Sequence, residues 1–168
     1  MHPLVNSFGA GPGFPGAEEI WDHVLSRGAI LWGIASDDVH QLKESWGRTD
    51  PGRGAQPGRG WIMVRAAHLT ADEIMQAIEN GDFYAWTGVV LEDYQCSTKE
   101  IKITLPPSGK FKTKYGIQLI AKKGRIVQDS IGNEATYRIR GNEGYVRARI
   151  TDSNGKATWT QPVWISRH

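Results

Sequence analysis

Residues 29–40 of the chain are Ala-Ile-Leu-Trp-Gly-Ile-Ala-Ser-Asp-Asp-Val-His, and they decide how the first half is expected to fold. The first seven form a short apolar run, which is typical of a buried strand in a parallel sheet. The run ends on two carboxylates and an imidazole. Because side chains two positions apart lie on one side of a strand, Asp38 and His40 present an oxygen and a nitrogen ligand together. This pattern predicts half of a metal site at the mouth of an α/β sheet or barrel.

The stretch Ser36–His40 has an ordinary interpretation as well. Two aspartates after a strand commonly open a turn, and a single histidine is usually part of the polar surface. Spacing alone leaves both interpretations open.

Helical periodicity precedes this stretch, over residues 17–27. Glu18 and Glu19 lie in the first turn of the predicted helix, where the helix dipole favours anions. The apolar side chains of the helix share one face: Ile20, Trp21, Val24 and Leu25. Gly28 suits the position just after the helix, so helix, glycine and strand form the αβ half of a parallel βαβ unit.

A long connection, residues 41–60, follows the predicted metal ligands. Its many glycines and prolines exclude regular structure, and connections of this length are usually functional or disordered. Arg48, Arg53 and Arg59 are interspersed among the glycines. Beside a carboxylate–histidine pair, such arginines can bind phosphate through paired hydrogen bonds. The alternative is that they only keep a surface loop solvated.

A strand, a helix and a second extended segment complete the first half. Trp61–Val64 is a short apolar run of the kind found in buried strands. Thr70 and Glu73 have the spacing of a capping box at the start of a helix, and Gly81 is suited to end it. Phe83 opens the next extended segment.

The character of the chain changes after Gly88, where helical periodicity disappears. Short alternating runs separated by turn sequences follow, at residues 100–105, 116–121, 125–129, 135–140, 145–151 and 158–165. Strands and turns at this spacing predict an antiparallel sandwich. In the run 145–151, alternation places Arg147 and Arg149 on the face expected to point outward.

These patterns predict an α+β chain in two parts, for which 168 residues are sufficient. Residues 1–90 are expected to form a partial βα-barrel-like segment with two main helices and two or three strands. Residues 91–168 are expected to form an antiparallel β-sandwich domain.

Composition argues against several function classes. A net charge of +2 implies no general attraction to polyanions, and acidic residues are interspersed with the arginines of the predicted sandwich, so nucleic-acid binding has the weakest case. No apolar run approaches the ~20 residues of a membrane-spanning helix, and the N-terminus lacks the layout of a signal peptide. We therefore expect no membrane partner, and the sequence assigns no compartment. Cys96 is the single cysteine, so no internal disulfide can form.

Four stretches occur in a characteristic order: residues 2–6 (HPLVN), 33–40 (GIASDDVH), 57–65 (PGRGWIMVR) and 81–88 (GDFYAWTG). Residues 148–156 and 159–165 complete the pattern. In order and spacing, nearly the whole chain resembles the C-terminal part of PHP proteins, the polymerase and histidinol phosphatase superfamily of metal-dependent phosphoesterases, with a β-domain appended as in some members. One departure is Trp86, where relatives often carry serine.

The resemblance implies a distorted (βα)7 barrel that binds two or three metal ions and hydrolyses phosphate esters. Asp38 and His40 correspond to the last metal motif of the family, Asp-x-His, and the implied metal is Zn, Mn or Fe. One of Arg53, Arg59 and Arg65 is then expected to contact the phosphate of the substrate.

The metal ligands that the family supplies from earlier strands have no counterpart in this sequence, which contains no His-x-His. Two ligands do not complete a site that needs about four per metal ion. We therefore expect a truncated phosphoesterase that is active only if another chain supplies the missing ligands. Because a barrel fragment exposes strand edges, we also expect a homo-oligomer, most simply a dimer.

The alternative function is a binding module without catalysis, directed at a carbohydrate or a protein partner. The predicted sandwich offers aromatic side chains for stacking on sugar rings: Tyr94, Tyr137, Tyr145, Trp159 and Trp164. Against this, the burial tendency of tryptophan favours a core position for Trp159 and Trp164.

Overall fold

Two α-helices and ten β-strands make up the computed structural model, which describes residues 13–37, 39, 57–107 and 113–165. The helices are α1 (Ala17–Ser26) and α2 (Ala71–Asn80). The strands are β1 (Trp61–Val64), β2 (Phe83–Trp86), β3 (Asp93–Cys96), β4 (Glu100–Thr104), β5 (Tyr115–Ala121), β6 (Arg125–Ile131), β7 (Glu134–Arg138), β8 (Tyr145–Asp152), β9 (Ala157–Thr160) and β10 (Val163–Trp164). A short 3₁₀ turn, Lys122–Gly124, joins β5 to β6.

These strands form two sheets, and every strand pair in the described part of the chain is antiparallel. The larger sheet has seven strands, in the order β1-β2-β9-β8-β5-β6, with β10 paired to β8. The smaller sheet has the order β3-β4-β7. Strands β9 and β10 pair with the same edge of β8. Arg149 lies opposite Trp159 of β9, and Val146 lies opposite Val163 of β10.

The two sheets pack against each other through one apolar core. Alternation along β4, β5 and β8 points Ile103, Ile117 and Ile150 into it, and these three side chains are fully buried. The facing surfaces of both sheets are thereby removed from water, which is the main favourable contribution to folding. The architecture is α+β and fits a β-sandwich, as the alternating runs after Gly88 predict.

Helix α1 covers the opposite face of the larger sheet. Trp21 and Leu25 of the helix pack with Ala85, Tyr145 and Trp159 in a second apolar cluster. The amphipathic stripe predicted for residues 17–27 is therefore the surface that binds the sheet. The larger sheet is covered on both faces, by the smaller sheet on one side and by α1 on the other.

The prediction that Arg147 and Arg149 point outward is wrong for Arg147. Its side chain points away from the core between the sheets, as alternation requires, but it lies under α1 and is 1% exposed. The side chain of Arg149 is 39% exposed. Alternation assigns the correct face of β8, and the helix that covers this face comes from a distant part of the chain.

Residues 29–37 contain no strand, which corrects the expectation of a buried parallel strand in this stretch. Their backbone groups pair with side chains. The Leu31 carbonyl accepts from Trp21 Nε1 at 2.8 Å, and the Gln161 amide binds both the N–H and the C=O of Gly33 at 2.8 Å. Glycine is favoured at position 33 because a Cβ would lie 2.8 Å from the Trp21 ring. These side-chain hydrogen bonds hold the segment, which does not pair with a neighbouring strand. A barrel-like arrangement of the first part of the chain is not confirmed.

The predicted positions of both helices are confirmed. Helix α1 spans Ala17–Ser26, and α2 begins after Thr70, whose side-chain oxygen accepts from the Glu73 N–H at 3.4 Å. Gly81 ends α2 with φ +77°, a left-handed conformation that glycine adopts without steric cost. The Glu73 carboxylate lies 3.0 Å from His68 Nδ1. Among the described residues, no helix is long and apolar enough to cross a membrane.

The predicted boundary near residue 90 falls between β2 and β3. β1 and β2 precede that boundary, yet β2 pairs with β9, which follows it. Strands from both predicted parts of the chain therefore share the larger sheet.

Candidate functional site

The carboxylate of Asp37 is enclosed by three consecutive backbone N–H groups. Its Oδ2 accepts from Gly58 at 2.7 Å, and its Oδ1 accepts from Arg59 and Gly60 at 2.5 Å each. Gly58 has φ +84°, and a left-handed residue of this kind lets successive N–H groups converge on one anion. Asp37 therefore ties this short loop to the segment that carries the predicted metal ligands.

The predicted ligands Asp38 and His40 lie outside the described residues, as does Arg53. Their neighbour Asp37 is described, and its carboxylate is engaged by loop N–H groups. Within the ranges that the structure describes, no group of three or more His, Cys, Asp or Glu residues could hold a metal ion. The Asp38–His40 pair stays a prediction, and no cluster in the described ranges competes with it.

Arg59 and Arg65, the two described members of the predicted phosphate-binding set, lie at opposite ends of β1. The backbone of Arg59 binds Asp37, next to the predicted ligands. Arg65 follows β1, and the five steps from Gly60 to Arg65 span about 17 Å at ~3.4 Å per residue. Nη2 of Arg65 donates to the Tyr94 carbonyl at 2.8 Å. The fold thus holds the backbone of Arg59 at Asp37, which precedes Asp38 in the sequence, and places Arg65 at the other end of β1.

Arg65 lines a cavity of about 520 Å³ at one end of the larger sheet. Here β2 begins at Phe83. Its neighbour β9 ends at Thr160, and the next strand, β10, begins at Val163. The cavity lies at this interruption, with β3 along one side. Much of its wall is apolar or aromatic: Trp32, Met63, Phe83, Leu91, Pro162 and Val163. A cavity of this size and lining is typical of small-molecule sites.

Two tyrosines and Arg65 supply hydrogen-bond donors to the cavity wall. The Tyr84 oxygen accepts from the Leu91 N–H at 3.4 Å, and the buried Tyr94 hydroxyl lies near the side chains of Thr160 and Cys96. Burial raises the pKa of both phenols, so both remain protonated donors at neutral pH. Gln161 also lines the cavity, but its amide oxygen and nitrogen are both hydrogen-bonded to the backbone of Gly33.

A buried charged cluster joins α1 to β8. Arg147 donates to Asp22 through Nε at 2.8 Å and through Nη2 at 2.7 Å, and Nη2 also lies 3.1 Å from Glu18. The Tyr145 hydroxyl donates to Asp22 at 2.7 Å, and the guanidinium lies over the Trp21 ring, 4.7 Å from its centroid. Burial opposes the charge on Arg147, but Asp22 and Glu18 raise its pKa. Solvent has little access to this cluster, so its role is to dock α1 on the sheet.

The aromatic residues predicted to stack on carbohydrate are mostly buried. Tyr137, Tyr145 and Trp159 are at most 6% exposed, which confirms the core position of Trp159. Trp164 is partly buried and packs against Tyr145 with 5.9 Å between ring centroids, and Tyr94 lines the cavity. These five side chains do not form an exposed platform.

Two features of the surface have little signal in the sequence. Trp61 and Trp86 lie opposite each other on β1 and β2 and stack with ring centroids 3.8 Å apart, and Trp61 is 40% exposed. No short stretch of the sequence predicts the cavity, because its wall combines residues that are spread along the chain from Trp32 to Val163.

Comparison with known proteins adds no family to this geometry. Protein-family models, curated proteins and solved structures gave no significant match to the chain. A functional proposal therefore rests on the residues themselves.

Proposed function

We propose that the chain is the C-terminal part of a PHP-type phosphoesterase, and that Asp38 and His40 supply half of a site for Zn, Mn or Fe. The observation that supports the proposal is the engagement of Asp37. Because loop N–H groups already satisfy the Asp37 carboxylate, the metal role in this pair of aspartates goes to Asp38, in agreement with the Asp-x-His spacing. A carboxylate and an imidazole are suitable ligands for each of these metals.

A metal ion held there would lower the pKa of a bound water and offset negative charge on the phosphate oxygens. The described residues contribute binding and orientation. Asp37 fixes the loop 58–60, which holds the backbone of Arg59 at the residue that precedes Asp38 in the sequence. A guanidinium in this position offers paired hydrogen bonds to a phosphate ester. We assign the substrate contact to Arg59, with Arg53 of the same predicted loop as a second candidate.

The barrel origin of residues 1–90 and the appended β-sandwich of residues 91–168 belong to the same proposal, together with a second copy of the chain as partner. Exposed large apolar side chains on and near α1 support the partner: Phe14, Ile20, Ile30, Leu31 and Ile34. A partner that covers them removes apolar surface from water. A partner chain also has to supply the metal ligands that this sequence lacks.

Metal content after reconstitution tests the proposal. We expect the protein to retain Zn²⁺ or Mn²⁺ after dialysis and His40→Ala to lose it. Any turnover of p-nitrophenyl phosphate should disappear in His40→Ala, whereas Arg59→Met should raise KM with little change in metal content. Retention of no more metal by the wild type than by His40→Ala would overturn the proposal.

Carbohydrate binding is a second candidate function, and the stacked pair of Trp61 and Trp86 is the observation that favours it. An indole face that is partly open to solvent can contact the C–H groups of a sugar ring. Binding to insoluble polysaccharide should be lost in Trp61→Ala. It should be retained in Phe14→Ala, which removes another exposed aromatic ring. Equal binding by the wild type and Trp61→Ala would reject this function.

A further inference from the structure

We propose that the cavity beside Arg65 binds a small organic monoanion with a flat apolar body, and that an aryl carboxylate is the class that fits it. The cavity has a volume of about 520 Å³ and lies at the end of β1 remote from Gly60. The proposal moves Arg65 out of the predicted phosphate-binding set. It involves neither a metal ion nor Asp38 and His40.

An aromatic wall selects a flat ligand. Nε1 of Trp32 donates to the Glu79 carbonyl at 3.1 Å, and the Trp32 ring packs so closely on Gly81 that a Cβ there would lie 2.9 Å away. Phe83, on the wall as well, is 6% exposed and held within β2. These contacts fix both rings before any ligand arrives, which favours binding because little side-chain entropy is lost.

Arg65 and Tyr84 provide hydrogen-bond donors on the wall that are free to bind a ligand. Nη2 of Arg65 binds the Tyr94 carbonyl, which orients the guanidinium, and its other N–H groups have no partner among the described residues. The Tyr84 oxygen accepts from Leu91, which leaves the hydroxyl proton for an acceptor. N–H and O–H groups that lack a partner favour a ligand whose oxygens accept hydrogen bonds, and a carboxylate has two such oxygens.

Asp82 limits the charge of the ligand. It lines the cavity and is exposed, with Asn80 nearby on the same wall. A carboxylate there repels a second negative charge, whereas Arg65 balances the first. The wall therefore favours a monoanion over a phosphate dianion, and this ligand class differs from the substrates proposed for the metal pair.

Cys96 provides a reporter for this cavity. It is the single cysteine of the chain, it lines the cavity and it is exposed. Iodoacetamide is small and neutral, so it does not compete for the guanidinium of Arg65. A ligand in the cavity should shield the thiol, and the alkylation rate measured by mass spectrometry then reports binding.

The experiment measures this rate with 1-naphthoate and with 1-naphthamide as its neutral counterpart. We expect saturating naphthoate to slow alkylation, and naphthamide to bind about ten-fold more weakly because it lacks the charge-assisted hydrogen bonds. Arg65→Met should weaken naphthoate binding about ten-fold, and Tyr84→Phe a few-fold, for the same reason. Arg138→Met, which removes an exposed arginine from β7, should bind naphthoate as the wild type does.

Thermal unfolding checks that the variants fold, and Tyr84→Phe, which removes one oxygen, stays informative if Arg65→Met does not. An alkylation rate that naphthoate leaves unchanged would overturn the proposal, as would equal binding of naphthoate and naphthamide. Phenyl phosphate that binds as tightly as benzoate would contradict the monoanion preference. His40→Ala should bind naphthoate normally, so this outcome is separate from that of the metal experiment.

Discussion

The guanidinium of Arg147 is held against the Asp22 carboxylate by two hydrogen bonds, from Nε at 2.8 Å and from Nη2 at 2.7 Å. The two residues belong to β8 and α1 and lie 125 positions apart in the chain. Removing both charges from water is costly, and their close pairing offsets that cost. The pair therefore determines where α1 lies on the larger sheet.

Removal of one partner from this pair should destabilise the fold strongly. Asp22→Asn preserves size but leaves Arg147 buried without its nearest counter-charge, so we expect the free energy of unfolding to fall by about 3–5 kcal/mol in denaturant titrations. Arg149→Met is the matched control. The Arg149 side chain is 39% exposed, and its guanidinium lies 3.4 Å from Glu18 and donates to Gln118 Oε1 at 2.6 Å, so its loss should cost about 1 kcal/mol. Equal losses in the two variants would contradict the docking role.

A second buried pair, Tyr137 and Glu143, should make stability depend on pH. The Tyr137 hydroxyl donates to Glu143 Oε1 at 2.7 Å, and the Arg140 N–H donates to the same oxygen at 2.6 Å. Burial acts against the carboxylate, but these hydrogen bonds hold the pKa of Glu143 below its ordinary value. Burial and Glu143 together raise the pKa of Tyr137 to about 12.

The directions of the two pKa shifts predict that the free energy of unfolding falls at both low and high pH. The contribution of Glu143 is complete above its unfolded pKa of about 4.5 and is lost as pH falls through the lower folded pKa. The contribution of Tyr137 is complete below about pH 10 and is lost as pH rises toward about 12. Tyr137→Phe should reduce the alkaline loss and shift the acid loss to higher pH, measured as unfolding free energy against pH. An unchanged profile would contradict the pairing.

Gly33 and Gly116 should respond differently to alanine. A Cβ at position 33 meets the Trp21 ring at 2.8 Å, whereas the nearest atom to a Cβ at position 116 is the Thr151 carbonyl oxygen at 4.0 Å. Gly33→Ala should cost about 1–3 kcal/mol of unfolding free energy through overpacking. Gly116→Ala should cost about 0.5 kcal/mol or less, because the site has room and alanine restricts the unfolded chain. Similar losses at both positions would argue against the close contact of Trp21 with Gly33.

The proposed homo-oligomer should depend on the apolar surface after α1. Ile30 is 70% exposed, and Ile30→Glu should shift sedimentation toward the monomer because it places a charge in the covered surface. Leu69 is 93% exposed and lies before α2, so Leu69→Glu serves as the control and should associate as the wild type does. A wild-type monomer at all concentrations would exclude the oligomer.

Sequence patterns predicted the elements that depend on neighbouring residues. Both helices follow from their apolar spacing and end signals, and β8 follows from the alternation in residues 145–151. Arg147 was assigned to the correct face of β8 but to the wrong surroundings, because the helix that covers it lies 125 positions away. The apolar run 29–35 has the composition of a strand. It forms none because the Gln161 side chain hydrogen-bonds the backbone N–H and C=O of Gly33.

The same distinction applies to the candidate sites. The spacing of Asp38 and His40 is visible in the sequence, and it still carries the metal proposal. The role of Asp37 is not visible there, because it depends on loop N–H groups more than twenty positions away. The cavity is harder still to predict, since Arg65 and Tyr94 lie 29 positions apart and meet only in the folded chain.

The most direct test of the metal site compares two adjacent carboxylates. Asp37→Asn and Asp38→Asn each remove one charge, and calorimetric titration with Zn²⁺ measures the affinity of each variant beside the wild type. We predict that Asp38→Asn weakens Zn²⁺ binding about ten-fold or more, as expected when a metal ligand is lost, and that Asp37→Asn changes it far less. Zn²⁺ binding that is weakened by Asp37→Asn and unaffected by Asp38→Asn would contradict the assignment.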